Sequence, residues 1–155
     1  MYEEDSCGIA AVQVGFLLQA LILDVGVLRA LISNVPGSEE ITKEPYFIIN
    51  PKILYISEKK VTLQEGCLSV RKEDGITLVS EDVERPESIT IEYTGLDGDT
   101  QILSFDGSKS LWDQWCSRCL QHEIAHLKGE IFTDYLVNPV NQPIIGVIDV
   151  SYDDF

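Results

Sequence analysis

Residues 121–129 read QHEIAHLKG and lie at the end of a stretch, 110–128, whose apolar spacing predicts a helix. Gly129 is placed where such a helix would stop. Residues 122–126 fit the pattern H-E-x-x-H, and on a helix the two histidines lie about one turn apart on the same face. This spacing predicts that both imidazoles bind one metal ion, with Glu123 beside it to accept a proton from an acidified water.

Extended segments on both sides of this helix predict antiparallel sheets. Residues 88–94 alternate with period two, residues 96–99 (LDGD) predict a hairpin turn, and residues 101–105 return as the partner strand. Residues 71–84 predict a solvated acidic loop. We therefore predict an α+β fold, with antiparallel β-sheets packed around a central helix that bears H-E-x-x-H. Further strands are predicted at 17–25, 46–51, 53–56 and 61–64, and extended chain at 131–132 and 135–137.

Length and charge limit the possible functions. The 155 residues predict one domain over 1–155. Lys and Arg number 11 against 26 Asp and Glu, and the net charge of -15 disfavours nucleic acid and anionic membranes as partners. Apolar runs are too short to cross a bilayer, and the first residues do not resemble a signal peptide. A cytoplasmic location, organellar in a eukaryote, and reduced cysteines are the expectation.

A catalytic metal site of this kind needs a third protein ligand, for which several candidates remain open. The extended protease pattern H-E-x-x-H-x-x-G-x-x-H fails because Phe132 stands where its last histidine belongs. A carboxylate ligand, Glu130 or Asp134, would indicate a zincin-type protease. Cys67 is a candidate thiolate. A structural zinc site using Cys116 and Cys119 with both histidines is disfavoured, because one straight helix cannot surround an ion with four donors.

Three separated motifs carry a resemblance to a known family. They are SCGIAAVQ at 6–13, EGCLS at 65–69, and the QHEIAHLKG stretch at 121–129. In this order they resemble the three signature motifs of the peptide deformylases, and the similarity extends from Met1 to about Leu136. The resemblance implies a metal-dependent hydrolase that removes the N-formyl group from N-formylmethionyl peptides of nascent proteins, with a role in protein biosynthesis and N-terminal processing.

The family resemblance also assigns roles to individual residues. It implies one divalent metal ion, Fe(II) in the cell and zinc, nickel or cobalt after preparation. Glu123 would act as general acid and base, while the Gln13 side chain and the Leu68 backbone N–H would stabilise the oxyanion. The resemblance also implies a monomeric enzyme that works transiently near the ribosome. The metal ligands implied are Cys67, His122 and His126.

Substrate contacts follow from the same resemblance. Gly8 matches the glycine that allows a substrate backbone to come close. Cys7, Trp115 and Cys119 match positions that line the pocket for the first side chain, usually methionine. Two family arginines are also matched: Arg85 is expected to be a solvated surface charge and Arg118 to be structural.

Two positions depart from the family motifs. Ser6 replaces a glycine, and Ala125 replaces the aspartate that usually completes H-E-x-D-H and supports the ligands. The match is also short on its N-terminal side, with six residues before Cys7. These departures favour an alternative, a catalytically impaired relative that binds peptide N-termini without hydrolysis.

Overall fold

The computed structural model describes residues 6–33, 43–72 and 74–137. Five of its strands form one antiparallel sheet in the order β1-β2-β3-β6-β7, and β4 pairs with β5 in a separate antiparallel sheet. The prediction of antiparallel sheets is confirmed. The strands are β1 (Gly8–Ala10), β2 (Ala20–Asp24), β3 (Pro45–Ile56), β4 (Lys60–Arg71), β5 (Leu78–Pro86), β6 (Ser88–Thr94) and β7 (Thr100–Asp106).

Two α-helices accompany the strands: α1 (Val25–Ser33) and α2 (Leu111–Leu127). The Ser110 side chain accepts a hydrogen bond from the backbone N–H of Asp113 and so caps the start of α2. Gly129 has a φ of 77° and ends the helix, as its position in the sequence predicted. Short 3-10 helices cover Ala11–Val14 and Phe132–Tyr135. No helix within the described ranges is long and apolar enough to cross a membrane.

Helix α2 has contacts with both sheets. It contacts β1, β2, β6 and β7 of the larger sheet, and β5 of the smaller one. On the larger sheet, Leu120 and Ile124 join an apolar core with Ile89 and Ile91, which point inward from β6 as its alternating pattern predicted. A second cluster lies between the β4–β5 sheet and the second 3-10 helix; it contains Cys67, Val70, Val79, Val83 and Phe132. The H-E-x-x-H residues therefore lie between two apolar clusters.

The first apolar block differs from its prediction. The strand predicted at 17–25 covers only Ala20–Asp24. Leu17 is 94% exposed and Leu18 is 58% exposed, so neither belongs to the buried strand. The carboxylate of Asp24 accepts hydrogen bonds from the backbone N–H groups of Gly26 and Val27, and α1 begins at Val25, the last residue of the predicted strand.

Three further segments also differ. The strands predicted at 46–51 and 53–56 are one strand, β3, with irregular pairing to β6 between Ile49 and Tyr55. The acidic loop predicted over 71–84 is wrong from Leu78 onward, because β5 begins there and pairs with β4. On β5, Asp82 and Glu84 are exposed while Val79 and Val83 are buried. The extended chain predicted near 131–137 contains a 3-10 helix.

Candidate active site

Cys67, His122 and His126 converge at the boundary between β4 and α2. The possible ligand atoms of these three residues all lie within 4.8 Å of one another. The Sγ of Cys67 is 3.4 Å from Nε2 of His126. The two histidines come together because they are four positions apart on α2, and β4 turns the thiol toward that face. Among the described residues, these three side chains form a group that could hold a metal ion.

Glu65 holds one of these histidines in place. Its Oε2 lies 3.0 Å from Nδ1 of His122, which leaves Nε2 of the ring for another ligand. Oε1 accepts hydrogen bonds from Arg85 at 2.7 Å and from Arg118 at 2.6 Å. Glu65 was not predicted as a site residue, although it precedes Cys67 by two positions, a spacing that places both side chains on the same face of a strand.

The arginines of this network are buried. Arg85 is 3% exposed, so its expected role as a solvated surface charge is wrong. Its guanidinium makes two hydrogen bonds to Glu65 and also lies 4.5 Å from the centre of the Tyr135 ring. Arg118, expected to be structural, is 2% exposed and donates to the backbone carbonyls of Val61 and Val83 as well as to Glu65. Together the two cations balance the buried Glu65 carboxylate.

Burial and hydrogen bonding act against each other in this cluster. Burial favours the neutral carboxyl of Glu65, but hydrogen bonds from His122 and Arg85 outweigh it and lower its pKa to about 2. Burial also opposes ionisation of Cys67, yet hydrogen bonds from His122 and His126 lower the pKa of the thiol to about 6. His122 is desolvated too, but Cys67 and Glu65 raise its pKa to about 10. The cluster thus favours a thiolate, the form of cysteine that binds metals.

Glu123 lies beside the cluster and is 5% exposed. Burial raises the pKa of its carboxyl to about 8. No hydrogen-bond partner is found among the described residues for its buried Oε2. A Cβ at Gly8 would lie 2.5 Å from its Oε1, so the Glu123 side chain occupies space that only a glycine leaves open.

Gln13 is held close to Cys67 by its own hydrogen bonds. Its Oε1 accepts from the backbone N–H of Ala10 at 2.8 Å. Its Nε2 donates to the hydroxyl of Ser69 at 3.0 Å and lies 3.8 Å from Sγ of Cys67. These contacts fix which end of the amide faces the cluster. Ser69, like Glu65, has a contact at the site that was not predicted.

A cavity of about 770 Å³ opens beside these groups. Its lining includes Gln13, Cys67, Leu68, His122 and Glu123. An apolar side of the lining comes from α1, α2 and the residue before β1; it comprises Cys7, Leu28, Leu31, Ile32, Trp115 and Cys119. All four residues predicted to contact substrate, Gly8 among them, line the cavity.

The competing ligand sets lack such convergence. Cys116 is fully buried in the larger apolar core and is not part of the donor cluster, which speaks against the structural zinc site. Glu130 accepts a hydrogen bond from the Tyr135 hydroxyl, and Asp134 accepts one from the backbone N–H of Ile131. Neither carboxylate joins the cluster, so a zincin-type ligand set finds no support among the described residues.

The structure shows the surroundings of Ser6 and Ala125, the two residues that depart from the family motifs. The Ser6 hydroxyl lies 2.8 Å from the backbone carbonyl of Gly8 and donates to it. Ala125 is 4% exposed, so an aspartate at this position would be a buried carboxylate. Its methyl group cannot accept the hydrogen bonds that such a carboxylate accepts from neighbouring ligands.

A thiolate and two imidazoles with a buried carboxylate beside them form the kind of site found in mononuclear metal-dependent hydrolases. The family model described as polypeptide deformylase matches residues 1–142, and the chain belongs to this family. It is 35% identical over 136 residues to the peptide deformylase of Wolbachia sp. subsp. Drosophila simulans (strain wRi), covering 88% of this chain and 67% of that protein.

Two further comparisons agree. The peptide deformylase of Rickettsia prowazekii (strain Madrid E) is 37% identical over 138 residues, which cover 89% of this chain and 68% of the relative. The crystal structure of the Ehrlichia chaffeensis peptide deformylase in complex with actinonin is 37% identical and has a TM-score of 0.66, with 88% of this chain and 67% of that chain covered.

Proposed function

We propose that this chain is a peptide deformylase that hydrolyses the formamide bond of N-formylmethionyl peptides of nascent proteins. The observation that carries the proposal is the convergence of Cys67, His122 and His126 beside the buried Glu123. Membership in the deformylase family supports the reaction. The proposal includes one catalytic domain over residues 1–155, with α2 as its central helix, an interpretation supported by the contacts of α2 with both sheets.

The donor set fits a divalent metal ion. Cys67, His122 and His126 would hold the ion, and the lowered pKa of Cys67 and the contact between Glu65 and His122 suit ligand formation. When bound, the ion would supply Lewis acidity that lowers the pKa of a water and polarises the formyl oxygen. We propose Fe(II) in the cell, on the family resemblance, with zinc, nickel or cobalt able to replace it in preparation.

Glu123 would move the proton of the reaction. Hydrolysis needs a group that accepts a proton from the attacking water and later delivers it to the departing amine nitrogen. A carboxyl with a pKa raised by burial to about 8 can do both near neutral pH. Its Oε2 has no partner among the described residues, so this oxygen is not committed to another hydrogen bond.

Gln13 and Leu68 would stabilise the negative charge that develops on the formyl oxygen. The Gln13 amide is oriented by the backbone N–H of Ala10, so its Nε2 faces the cluster. Leu68 follows Cys67 directly and lines the cavity, which suits its backbone N–H for the same oxygen. Such donors are most effective when their orientation is set before substrate binds.

The apolar side of the cavity would bind the methionine side chain of the substrate. Cys7, Trp115 and Cys119 line it and offer the soft, apolar surface that a thioether prefers. Gly8 would let the substrate backbone lie close to β1, in addition to leaving room for Glu123. We propose that the enzyme acts as a cytoplasmic monomer, with transient proximity to the ribosome where its substrates emerge.

A second candidate, a relative that binds peptide N-termini without hydrolysing them, is favoured by one observation. The Ser6 hydroxyl donates to the Gly8 carbonyl, an oxygen on the strand edge proposed to receive the substrate backbone. Ala125 adds to this, because it cannot orient a ligand by hydrogen bonding. The two candidates predict the same metal content and different turnover.

The deciding experiment measures metal content and turnover of formyl-Met-Ala-Ser together, under anaerobic conditions. We expect one ion bound per chain and release of formate. A metal-loaded protein that binds the peptide without releasing formate would support the binder and overturn the proposed hydrolysis. Replacing Cys67→Ser provides the control for the ligand set, because a zincin-type site would keep its metal and the proposed site would lose most of it.

A further inference from the structure

Two thiols face each other on the apolar side of the cavity. The Sγ atoms of Cys7 and Cys119 are 3.5 Å apart, although 112 positions separate the two residues in the chain. Cys7 lies just before β1, and Cys119 lies on α2. Both are partly buried free thiols that line the cavity, so a small reagent that enters the cavity can reach them.

The other two cysteines lack this setting. Cys116 is fully buried in the core, and burial raises its pKa to about 12. Cys67 belongs to the proposed ligand set, where a bound ion would protect it. The contact between Cys7 and Cys119 lowers the pKa of Cys7 and raises that of Cys119, so Cys7 ionises first. A thiolate beside a second thiol is the arrangement from which intramolecular disulfides form.

We propose that Cys7 and Cys119 are an oxidative modification site, at which hydrogen peroxide produces an intramolecular disulfide that alters the pocket wall. The Cys7 thiolate attacks one peroxide oxygen and the O–O bond breaks, so that Cys7 becomes a sulfenic acid and the other oxygen leaves as hydroxide. The hydroxide takes up the proton that the Cys7 thiol released and becomes water. The Cys119 sulfur then attacks the Cys7 sulfur. The S–S bond forms, the S–O bond breaks, and a second water leaves, so that the two thiols are oxidised by two electrons and the peroxide is reduced.

Disulfide formation requires a local shift. A disulfide is about 2.05 Å long, so the sulfur atoms must come roughly 1.5 Å closer than they are in the reduced protein. The backbone carbonyl of Cys7 accepts a hydrogen bond from Asp24, and the adjacent Gly8 packs against Glu123. The shift therefore acts on a segment packed against Glu123. Its predicted effect on turnover rests on the proposed function, which places the substrate side chain at this wall.

The test uses zinc-loaded protein, because zinc has no redox chemistry and occupies the Cys67 site. After treatment with hydrogen peroxide, we expect the intact mass to fall by about 2 Da and peptide mapping to find Cys7 linked to Cys119. The single variants Cys7→Ser and Cys119→Ser should not lose this mass. Cys116→Ala is the matched control and should form the linkage as the unchanged protein does.

Three results would overturn the site: no linkage, a linkage that includes Cys116, or oxidation of Cys7 to sulfinic acid with no bond to Cys119.

Turnover of formyl-Met-Ala-Ser is then compared before oxidation, after oxidation, and after reduction with dithiothreitol. We expect a loss that dithiothreitol restores in the unchanged protein and in Cys116→Ala. A linked protein with full turnover would overturn the effect on the pocket. If the reduced protein shows no turnover, the proposed function fails, and the mass measurement still decides the modification site.

Discussion

The two walls of the cavity are built in different ways. The β4 wall, formed by Glu65 and Cys67, is held by ion pairs and hydrogen bonds to Arg85, Arg118 and His122, all of them largely buried. The β1 wall, around Cys7 and Gly8, is held by backbone pairing with β2, and toward α2 it is closely packed, with Gly8 against Glu123 and Cys7 against Cys119.

Because of this difference, changes in the two walls should affect different properties of the site. Ion pairs in a buried network are directional, and removing one partner leaves the others as uncompensated charges. Close packing depends on volume and tolerates changes of polarity better than changes of size. The β4 wall is therefore expected to control metal binding, and the β1 wall to control the fit of Glu123 and substrate. The following variants test that division, beginning with the residue between the walls.

Glu123→Gln should have the largest effect. Glutamine has nearly the same shape but cannot accept and return a proton, so we expect kcat to fall by about 10²–10⁴-fold while metal content stays unchanged. Formate release and metal analysis on the same preparation measure both quantities. Loss of the metal together with activity would contradict the proposed role, because it would make Glu123 a contributor to metal binding.

Glu65→Gln tests the β4 wall. The amide binds His122 less strongly and leaves Arg85 and Arg118 without their buried counter-charge. We expect about a 10–100-fold loss of metal affinity and a lower free energy of unfolding, by roughly 3–5 kcal/mol. Metal titration and urea unfolding measure these effects.

Glu84→Gln is the matched control for this variant. Glu84 lies on the neighbouring strand β5 and pairs with Lys60 at the surface, where both side chains are about half exposed. We expect little change in metal affinity or in unfolding, because exposed pairs contribute little. Equal effects of the two variants would show that the buried network does not have the special role assigned to it.

Gly8→Ala tests the β1 wall. The added methyl group would lie 2.5 Å from Oε1 of Glu123, so the carboxylate must move away from its present position. We expect roughly a tenfold lower kcat with unchanged metal affinity, because small displacements of a catalytic group are costly. Ser6→Ala, two positions earlier, removes only a hydroxyl and should change kcat much less. A Gly8→Ala enzyme with full kcat would refute the packing argument.

Cys116→Ala should have the smallest effect on turnover, because Cys116 lies in the apolar core and does not line the cavity. Burial raises the pKa of this thiol from 9.0 to about 12. Below pH 9 the thiol is neutral in both the folded and the unfolded chain, so it adds no pH dependence. As pH rises from 9 toward 12 the unfolded chain ionises first, and the free energy of unfolding falls. The variant should lose less stability than the unchanged protein over this range, as alkaline unfolding curves would show.

Local patterns were the most predictable from sequence. The turn at 96–99 and the alternation in 88–94 predicted the β6–β7 hairpin, because both signals act between neighbouring residues. The helical pattern over 110–128 and the glycine at 129 similarly predicted the extent of α2. The β5 strand was missed because its charged residues resemble a solvated loop. The alternation of exposed Asp82 and Glu84 with buried Val83 and Arg85 becomes meaningful only once β4 lies alongside.

The proposed metal ligands could be predicted from sequence, but the buried residues that hold them in place could not. Three spaced motifs led to Cys67, His122 and His126, and the structure brings these residues together. Glu65 begins the EGCLS motif and precedes Cys67 by two positions, but neither signal indicated which side chains it would contact. Arg85 was misjudged because an arginine on a charged strand is usually exposed, and its burial depends on a counter-charge supplied by another strand.

The sequence by itself determined which residue types carry the chemistry and the helix on which two of them lie, because helical spacing is a local property of the chain. Only the tertiary structure decided that β1 packs against Glu123, that Glu65 joins two arginines to a histidine, and that two distant thiols meet. Such contacts form between segments far apart in the chain, where burial and charge compensation depend on the whole fold rather than on neighbouring residues.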